Sequence, residues 1–402
     1  MAGWGGSAGR PPQGRAPPAR SPSTASEPAT TAGDLPPGDS GTIVARRLAL
    51  AALPVLAILA FVGVVGATLW AGWGAETLGY DFLAYHEAAN RVLAGERLYD
   101  PTIEETGGFG LYYYPPPFIF AILPLAPLDP TAATWLWAGL SAAAFLGGIA
   151  LMPVPTAVRW LTLLLAGLSW PTAYAFKLGQ VGPLLFMLLA IGWRWLDRPA
   201  AVGGSAAAGA IVKIQPGLVL VWALLTRRWK AVAVGAVVLV VTAVAATLTM
   251  GGFGVWTDYV TLLRNVSDPI STPHNFTPGA VAYQLGVPTG VAATVQLVST
   301  AGAAAIVVIA ALRAGAAASY LVAATASQLL SPVLWDHYAM LLLLPVAWLV
   351  ARRQWWAIAI PLSAAVFLIG ITPPIAYPAA FWLTLIALLA VGWRERAGDA
   401  PA

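Results

Sequence analysis

GYDFLAYHEAANRVLAGERLYDPTIEETGGFGLYYYPPP, residues 79–117, is a polar, aromatic and acidic stretch in a chain that is otherwise largely apolar. Asp81, Glu87, Glu96, Asp100, Glu104 and Glu105 place six of the chain's 17 acids within it. Hydrophobic segments flank it on both sides, so it reads as a loop at a bilayer face. Polar side chains concentrated at such a face need a reason, and a reaction at the membrane surface supplies one.

The rest of the composition fits that setting. The chain has 402 residues, 59% of them hydrophobic and 9% charged, with a mean hydropathy of +0.75. Soluble proteins carry roughly a quarter charged residues, so an all-α polytopic membrane protein is expected. Cysteine is absent, which excludes disulfides, thiolate metal sites and a cysteine nucleophile. With only three histidines, His86, His274 and His337, a histidine-rich metal cage is not expected, and no cofactor is. The net charge of +4 comes mostly from short arginine-rich loops, a pattern of cytoplasmic loops and not of nucleic-acid binding. Residues 1–42 are rich in Gly, Pro, Ala, Ser and Thr and cannot bury enough surface to fold. The expectation is a disordered cytoplasmic tail over 1–45, a transmembrane domain over 46–395 and a short tail over 396–402.

A helix that crosses the ~30 Å hydrocarbon core needs about 20 apolar residues. Candidate segments are 48–72, 115–128, 131–152, 157–176, 181–196, 201–213, 215–226, 231–250, 289–312, 315–331, 338–351, 355–372 and 376–393. Positive clusters at Arg46/Arg47, Arg194/Arg198, Arg227/Arg228/Lys230, Arg313, Arg352/Arg353 and Arg394/Arg396 belong on the cytoplasmic side. That requires an even number of crossings between Arg47 and Arg227. The short, proline-broken 115–128 is therefore read as re-entrant or partial, leaving roughly twelve crossings. The alternative merges 201–226 into one span and lets 115–128 cross, at the cost of placing Arg194 and Arg198 outside. In the preferred topology the loops 73–114, 171–182 and 251–288, with the turn 331–337, share the external face.

Several residues on that face have side chains able to do chemistry. From 82 to 98, Phe82, Tyr85, Ala89, Val92 and Leu93 recur at helical spacing, which predicts an amphipathic helix lying in the interface. Asp81 would be its N-cap or first-turn residue, or a carboxylate general base at the membrane surface. Tyr114 ends the aromatic run of YYYPPP, which reads equally as an interfacial belt. Lys177 fits an anchor reaching for headgroups, while Gln180 suggests an amide contact to a ligand. Lys213 lies inside AAAGAIVKIQPGLVL, about 20 Å up a helix from the cytoplasmic end at ~1.5 Å per residue. A lysine there is costly and reads as a functional site suited to a lipid-linked phosphate, or as half of an ion pair with a buried acid, of which the nearby spans offer almost none. His274 and Asn275 could bond a polar ligand or sit in a solvated loop. Ser331, Trp335, Asp336, His337 and Tyr338 crowd one turn, where a histidine beside an aspartate could position a phosphate or simply join two spans.

In order along the chain come D-x3-Y-x-x-A-A-x5-G-x-x-L-Y (Asp81 to Tyr99), YYYPPP with PLAPL (Pro124–Leu128), LGQ (Leu178–Gln180), K-x-x-P (Lys213–Pro216) followed by RRWK, and LSPVLWDHY (Leu330–Tyr338). This series resembles glycosyltransferase family 87, polytopic mannosyltransferase-like enzymes of the C-type glycosyltransferase fold, over about residues 46–395. The resemblance implies a polyprenyl-phosphate sugar donor, mannose above all, and a lipid or glycan acceptor at the extracytoplasmic face of a bacterial cell membrane. It implies Asp81 as catalytic base and His337 as the histidine of the S-P-x-x-W-x-H element; where many members carry a second histidine, this chain has Tyr338. Gln180 and Lys213 match the family's G-Q and K-x-x-P positions. Substrate contacts are expected from Lys213, His337, Gln180, Tyr114 and Asn275, with membrane lipids as surroundings and no metal or nucleic acid. A secondary transporter is the main alternative, because an intramembrane lysine and broken helices also suit translocation; a lipid-binding or scaffolding membrane protein with no chemistry is the second.

Overall fold

The computed structural model describes residues 38–99, 111–265 and 268–398, with side chains from residue 51 onward. The chain divides into two compact units, Met1–Leu48 and Ala49–Ala402, and the second holds the cavity and the residues that line it. Of the expected tail, residues 1–37 lie outside the described part, while 38–45 are the first residues of a helix that runs to Gly74. Once the apolar segment has nucleated a helix, each further residue costs little to add.

The described residues are helical throughout, apart from loops and one isolated antiparallel bridge between Ser169 and Ala365. Among the described residues, five helices are long and apolar enough to cross a membrane: Ala51–Gly74, Pro130–Leu151, Trp229–Thr249, Thr289–Arg313 and Ala376–Gly398. A bent pair, Trp170–Leu178 and Gly182–Arg194, makes a sixth span if counted together, with 116° between its halves. The 22 residues of Pro130–Leu151 span about 33 Å at ~1.5 Å per residue. Asp129 starts that helix by accepting from the amides of Thr131 and Ala132 at 2.9 and 3.2 Å, with proline at the first helical position. Val237, Val240, Val241, Val244 and Leu248 are exposed on Trp229–Thr249. An apolar face of that extent belongs in lipid, not water, so this is a membrane protein.

Several expected spans resolve into shorter pieces. Segment 157–176 is divided at Ser169, where Trp170 N–H donates to Ala364 O at 2.9 Å and the helix stops. Segment 355–372 is a series of short turns, Trp355–Ile358, Ala359–Leu362 and Val366–Leu368, because Ala365 is extended to meet Ser169. Segment 115–128 is ten residues of alternating 3₁₀ and α turns, under 20 Å long at ~1.5–2 Å per residue. Segments 201–213 and 215–226 are the helices Pro199–Val212 and Leu218–Leu225, broken apart at the extended Lys213. Pro199–Val212 packs tightly on Trp229–Thr249, and a Cβ at Gly203 would run into Ala231 O, the small-residue contact that lets membrane helices approach closely.

The helix predicted after Gly79 forms as Tyr80–Leu93, burying Phe82, Tyr85 and Ala89 and exposing Glu87. Part of the acidic loop that follows, residues 100–110, lies outside the described part.

Candidate active site

A cavity of about 2060 Å³ opens among the ends of these helices. Asp81, Tyr114, Gln180, Lys213 and His337 all line it, brought together from five separate segments.

Asp81 sits in the first turn of Tyr80–Leu93, behind an N-cap glycine. Gly79 adopts φ 74°, and a Cβ there would lie 2.5 Å from Thr134 Cγ2, so only glycine fits the turn. The Asp81 carboxylate does not cap its own helix. Its Oδ2 accepts from the Gln180 side-chain amide, and Oδ1 has no hydrogen-bond partner among the described residues. Burial raises the Asp81 pKa from the ordinary carboxylate value, against the opposing pull of the His337 imidazole, the Gln180 hydrogen bond and the Lys213 ammonium. A carboxylate held in this way has an increased proton affinity, as a general base requires.

Gln180 follows a second left-handed glycine. Gly179, φ 69°, ends the helix Trp170–Leu178, and a Cβ there would meet Phe82 Cβ at 2.6 Å. Trp137 Nε1 donates to Gly179 O at 2.8 Å and fixes the turn. Gln180 Oε1 accepts from Tyr114 Oη at 3.1 Å, and Tyr114 Oη lies 2.5 Å from Tyr85 Oη.

Lys213 occupies the break between two apolar helices, with its backbone extended at φ −154°, ψ 131°. Its ammonium stands 4.1 Å from the centre of the Tyr338 ring and 5.6 Å from that of Tyr114, within cation–π range of both. No ion pair forms at Lys213 among the described residues. His337 is 5% exposed; its Nδ1 is 3.5 Å from Asp336 Oδ1, and both ring nitrogens are buried without a hydrogen-bond partner. Asp336 is held by Trp170 Nε1 at 3.3 Å and by the His337 amide at 2.7 Å.

Asn275 is the expected contact that the cavity does not receive. It is fully buried, its amide donating to Pro269 O and Pro332 O at 2.7 and 3.1 Å. Its Oδ1 accepts from Thr277 N and Leu334 N at 3.0 and 2.9 Å. The side chain therefore ties the 268–285 loop to the 331–338 turn, and all its polar capacity is used inside the protein.

Sequence reasoning missed Tyr85, Trp170 and Tyr174, which also line the cavity. Each leaves a signal in spacing: Asp81 and Tyr85, like Trp170 and Tyr174, are four apart and share a helix face. The Trp170 and Tyr174 rings stack at 4.9 Å and 15°, forming an aromatic wall beside Asp336 and His337.

The arrangement sets a carboxylate of raised proton affinity beside a lysine and a histidine, all lining one cavity. Nothing among curated proteins or solved structures matches the chain. A family model described as glycosyltransferase family 87 matches residues 112–332, a stretch that contains Tyr114, Gln180 and Lys213 and to which the fold adds Asp81 and His337. That match covers more than half of the 402 residues, and this membrane protein belongs to glycosyltransferase family 87.

Proposed function

We propose that the chain transfers a hexose, mannose on the strength of the sequence resemblance, from a polyprenyl-phosphate donor to a lipid or glycan acceptor. The reaction takes place at the extracytoplasmic face of the bacterial cell membrane, in a C-type arrangement of helices. The observation that carries this reading is the convergence of Asp81, Lys213 and His337 on one cavity. Its volume of about 2060 Å³ exceeds the ~300–1,000 Å³ of an ordinary small-ligand pocket and suits two substrates, one of them a lipid phosphate.

In the proposed step the acceptor hydroxyl gives its proton to Asp81 Oδ1 as its oxygen bonds to the anomeric carbon. The bond from that carbon to the phosphate oxygen breaks, and its electron pair leaves on the lipid phosphate. The Lys213 ammonium and the His337 imidazole stabilise the charge that develops there. Attack opposite the leaving group inverts the anomeric centre, so a β-linked donor gives an α-linked product.

Membranes containing the protein, incubated with radiolabelled polyprenyl-phosphate-mannose, should yield a labelled product. Asp81→Asn should abolish the label while leaving protein abundance unchanged. Transfer by the Asn variant at the native rate would remove Asp81 as the base.

A further inference from the structure

The hydrogen bonds around Asp81 run in one direction. A carboxylate can only accept, so the Gln180 side chain turns its N–H to Asp81 Oδ2 and its carbonyl oxygen to Tyr114. That oxygen also only accepts, so the Tyr114 hydroxyl proton lies along the 3.1 Å contact to it. Tyr114 has no second proton, and across the 2.5 Å contact between the phenols Tyr85 must be the donor. The sequence of donations is Tyr85 to Tyr114 to Gln180 to Asp81.

The members of this chain are packed into place. Tyr85, Tyr114 and Gln180 are 1%, 5% and 7% exposed. Tyr99 Oη donates to Tyr114 O at 2.5 Å, and Gln180 N–H donates to Ala175 O at 2.9 Å. The Tyr85 and Tyr114 rings meet edge to face at 4.7 Å. The Gln180 carbonyl accepts from Tyr114 and its amide donates to Asp81, so both ends of the side chain are engaged inside the protein.

We propose that Tyr85, Tyr114 and Gln180 are positioning residues for the base: they hold Oδ2 of Asp81 by donation and leave Oδ1 turned to the acceptor hydroxyl. This rests on Asp81 being the base. It gives Gln180 and Tyr114 a role other than the substrate contact their positions suggest in the sequence. Polarisation along the chain strengthens each bond in turn, so the last one, to Asp81, favours the ionised carboxylate. The other titratable groups facing Asp81 are Lys213 and His337, and the phenols Tyr174 and Tyr338.

The test compares Tyr114→Phe, Tyr85→Phe and Gln180→Glu with the native protein in the polyprenyl-phosphate-mannose assay, with kcat, donor KM and the pH profile measured for each. Tyr114→Phe should lower kcat roughly tenfold, the scale of one net hydrogen bond. Donor KM should stay within about twofold, and the acidic limb should move to higher pH. Tyr85→Phe, one bond further away, should have a smaller effect of the same kind. Gln180→Glu keeps the volume but sets two carboxylates together that cannot both ionise, so its acidic limb should move furthest. A rise in KM at unchanged kcat, or an unmoved pH profile in all three, would overturn the positioning role. Asp81→Asn, run alongside, separates the outcomes, because a fully active Asn variant refutes the base itself.

Discussion

Replacing Lys213 by methionine should move activity and stability in opposite directions. Methionine keeps the unbranched stem and approximate volume of lysine and removes the ammonium. In the native structure that ammonium has no ion-pair partner among the described residues, and its contacts are the ring faces of Tyr338 and Tyr114 at 4.1 and 5.6 Å. Such contacts contribute about 0.5–2 kcal/mol, while taking an unpaired ion out of water costs several. Lys213→Met should therefore leave stability unchanged or raise it by up to about 2 kcal/mol, seen as an apparent Tm in detergent equal to or a few degrees above the native value. Transfer should fall by about 10²–10³-fold, the cost of removing one group that stabilises developing charge. Lys213→Arg keeps the charge in a larger, planar group and should recover part of the rate. Thermal unfolding and single-turnover transfer on the same preparation make the test. A methionine variant within about threefold of the native rate would refute a role at the leaving group. Loss of activity accompanied by a large drop in Tm would show instead that the charge holds the fold together.

The raised pKa of Asp81 should set an acidic limb of kcat/KM above the ordinary carboxylate value of ~3.9. Its effect on stability has the opposite sign. As pH rises the unfolded carboxyl ionises first, so the native chain holds more protons between ~3.9 and the raised value and stability falls across that window. Asp81→Asn should flatten that slope in Tm measured against pH, and an unchanged slope would show that Asp81 does not cause it. Asn275→Ala removes four hydrogen bonds at a fully buried site and should cost about 2–4 kcal/mol. It should appear as a lower Tm at unchanged donor KM, and a higher KM at native Tm would instead make Asn275 a ligand contact. Gly179→Ala combines a left-handed φ of 69° with a 2.6 Å approach to Phe82 Cβ. About 1–3 kcal/mol of lost stability and a reduced kcat are expected, and a variant with native Tm and rate would show that the turn adapts.

The membrane class, a helix following Gly79 and several of the cavity's polar side chains, Asp81, Gln180, Lys213 and His337 among them, were legible in the sequence, because each rests on a local property. Composition placed the chain in lipid, helical spacing marked Phe82, Tyr85 and Ala89 as one buried face, and the isolation of Lys213 among apolar residues made it stand out. The segmentation was less legible. Ser169 and Pro171 are a helix-start signal inside the run, but the apolar residues on both sides masked it, and the bridge that holds Ser169 extended comes from Ala365 far along the chain. Two apolar runs thus became a helix at 231–250 and a string of short turns at 355–372. Asn275 misled for a related reason: an amide on a polar loop resembles a ligand contact until its four backbone partners are known. Tyr85 was read as packing alone because its spacing puts it with Phe82 and Ala89 on the apolar face, and the chemistry of its hydroxyl depends on Tyr114 arriving from another segment.

The two left-handed glycines also determine how the site responds to its surroundings. Gly79 N–H donates to Lys177 O at 2.8 Å, and a Cβ on Gly179 would come within 3.4 Å of Gly79 Cα, so the turns that carry Asp81 and Gln180 interlock. The long helices tilt as a bilayer thickens or thins, but a knot of backbone this small travels as one rigid piece. Lys213 hangs from another helix and does not share it, whereas the turn of His337 is bonded through Asp336 to Trp170 on the helix that Gly179 ends. A change of lipid thickness should therefore move Lys213 against the leaving group before it disturbs the base, and so register in donor affinity sooner than in the pH profile.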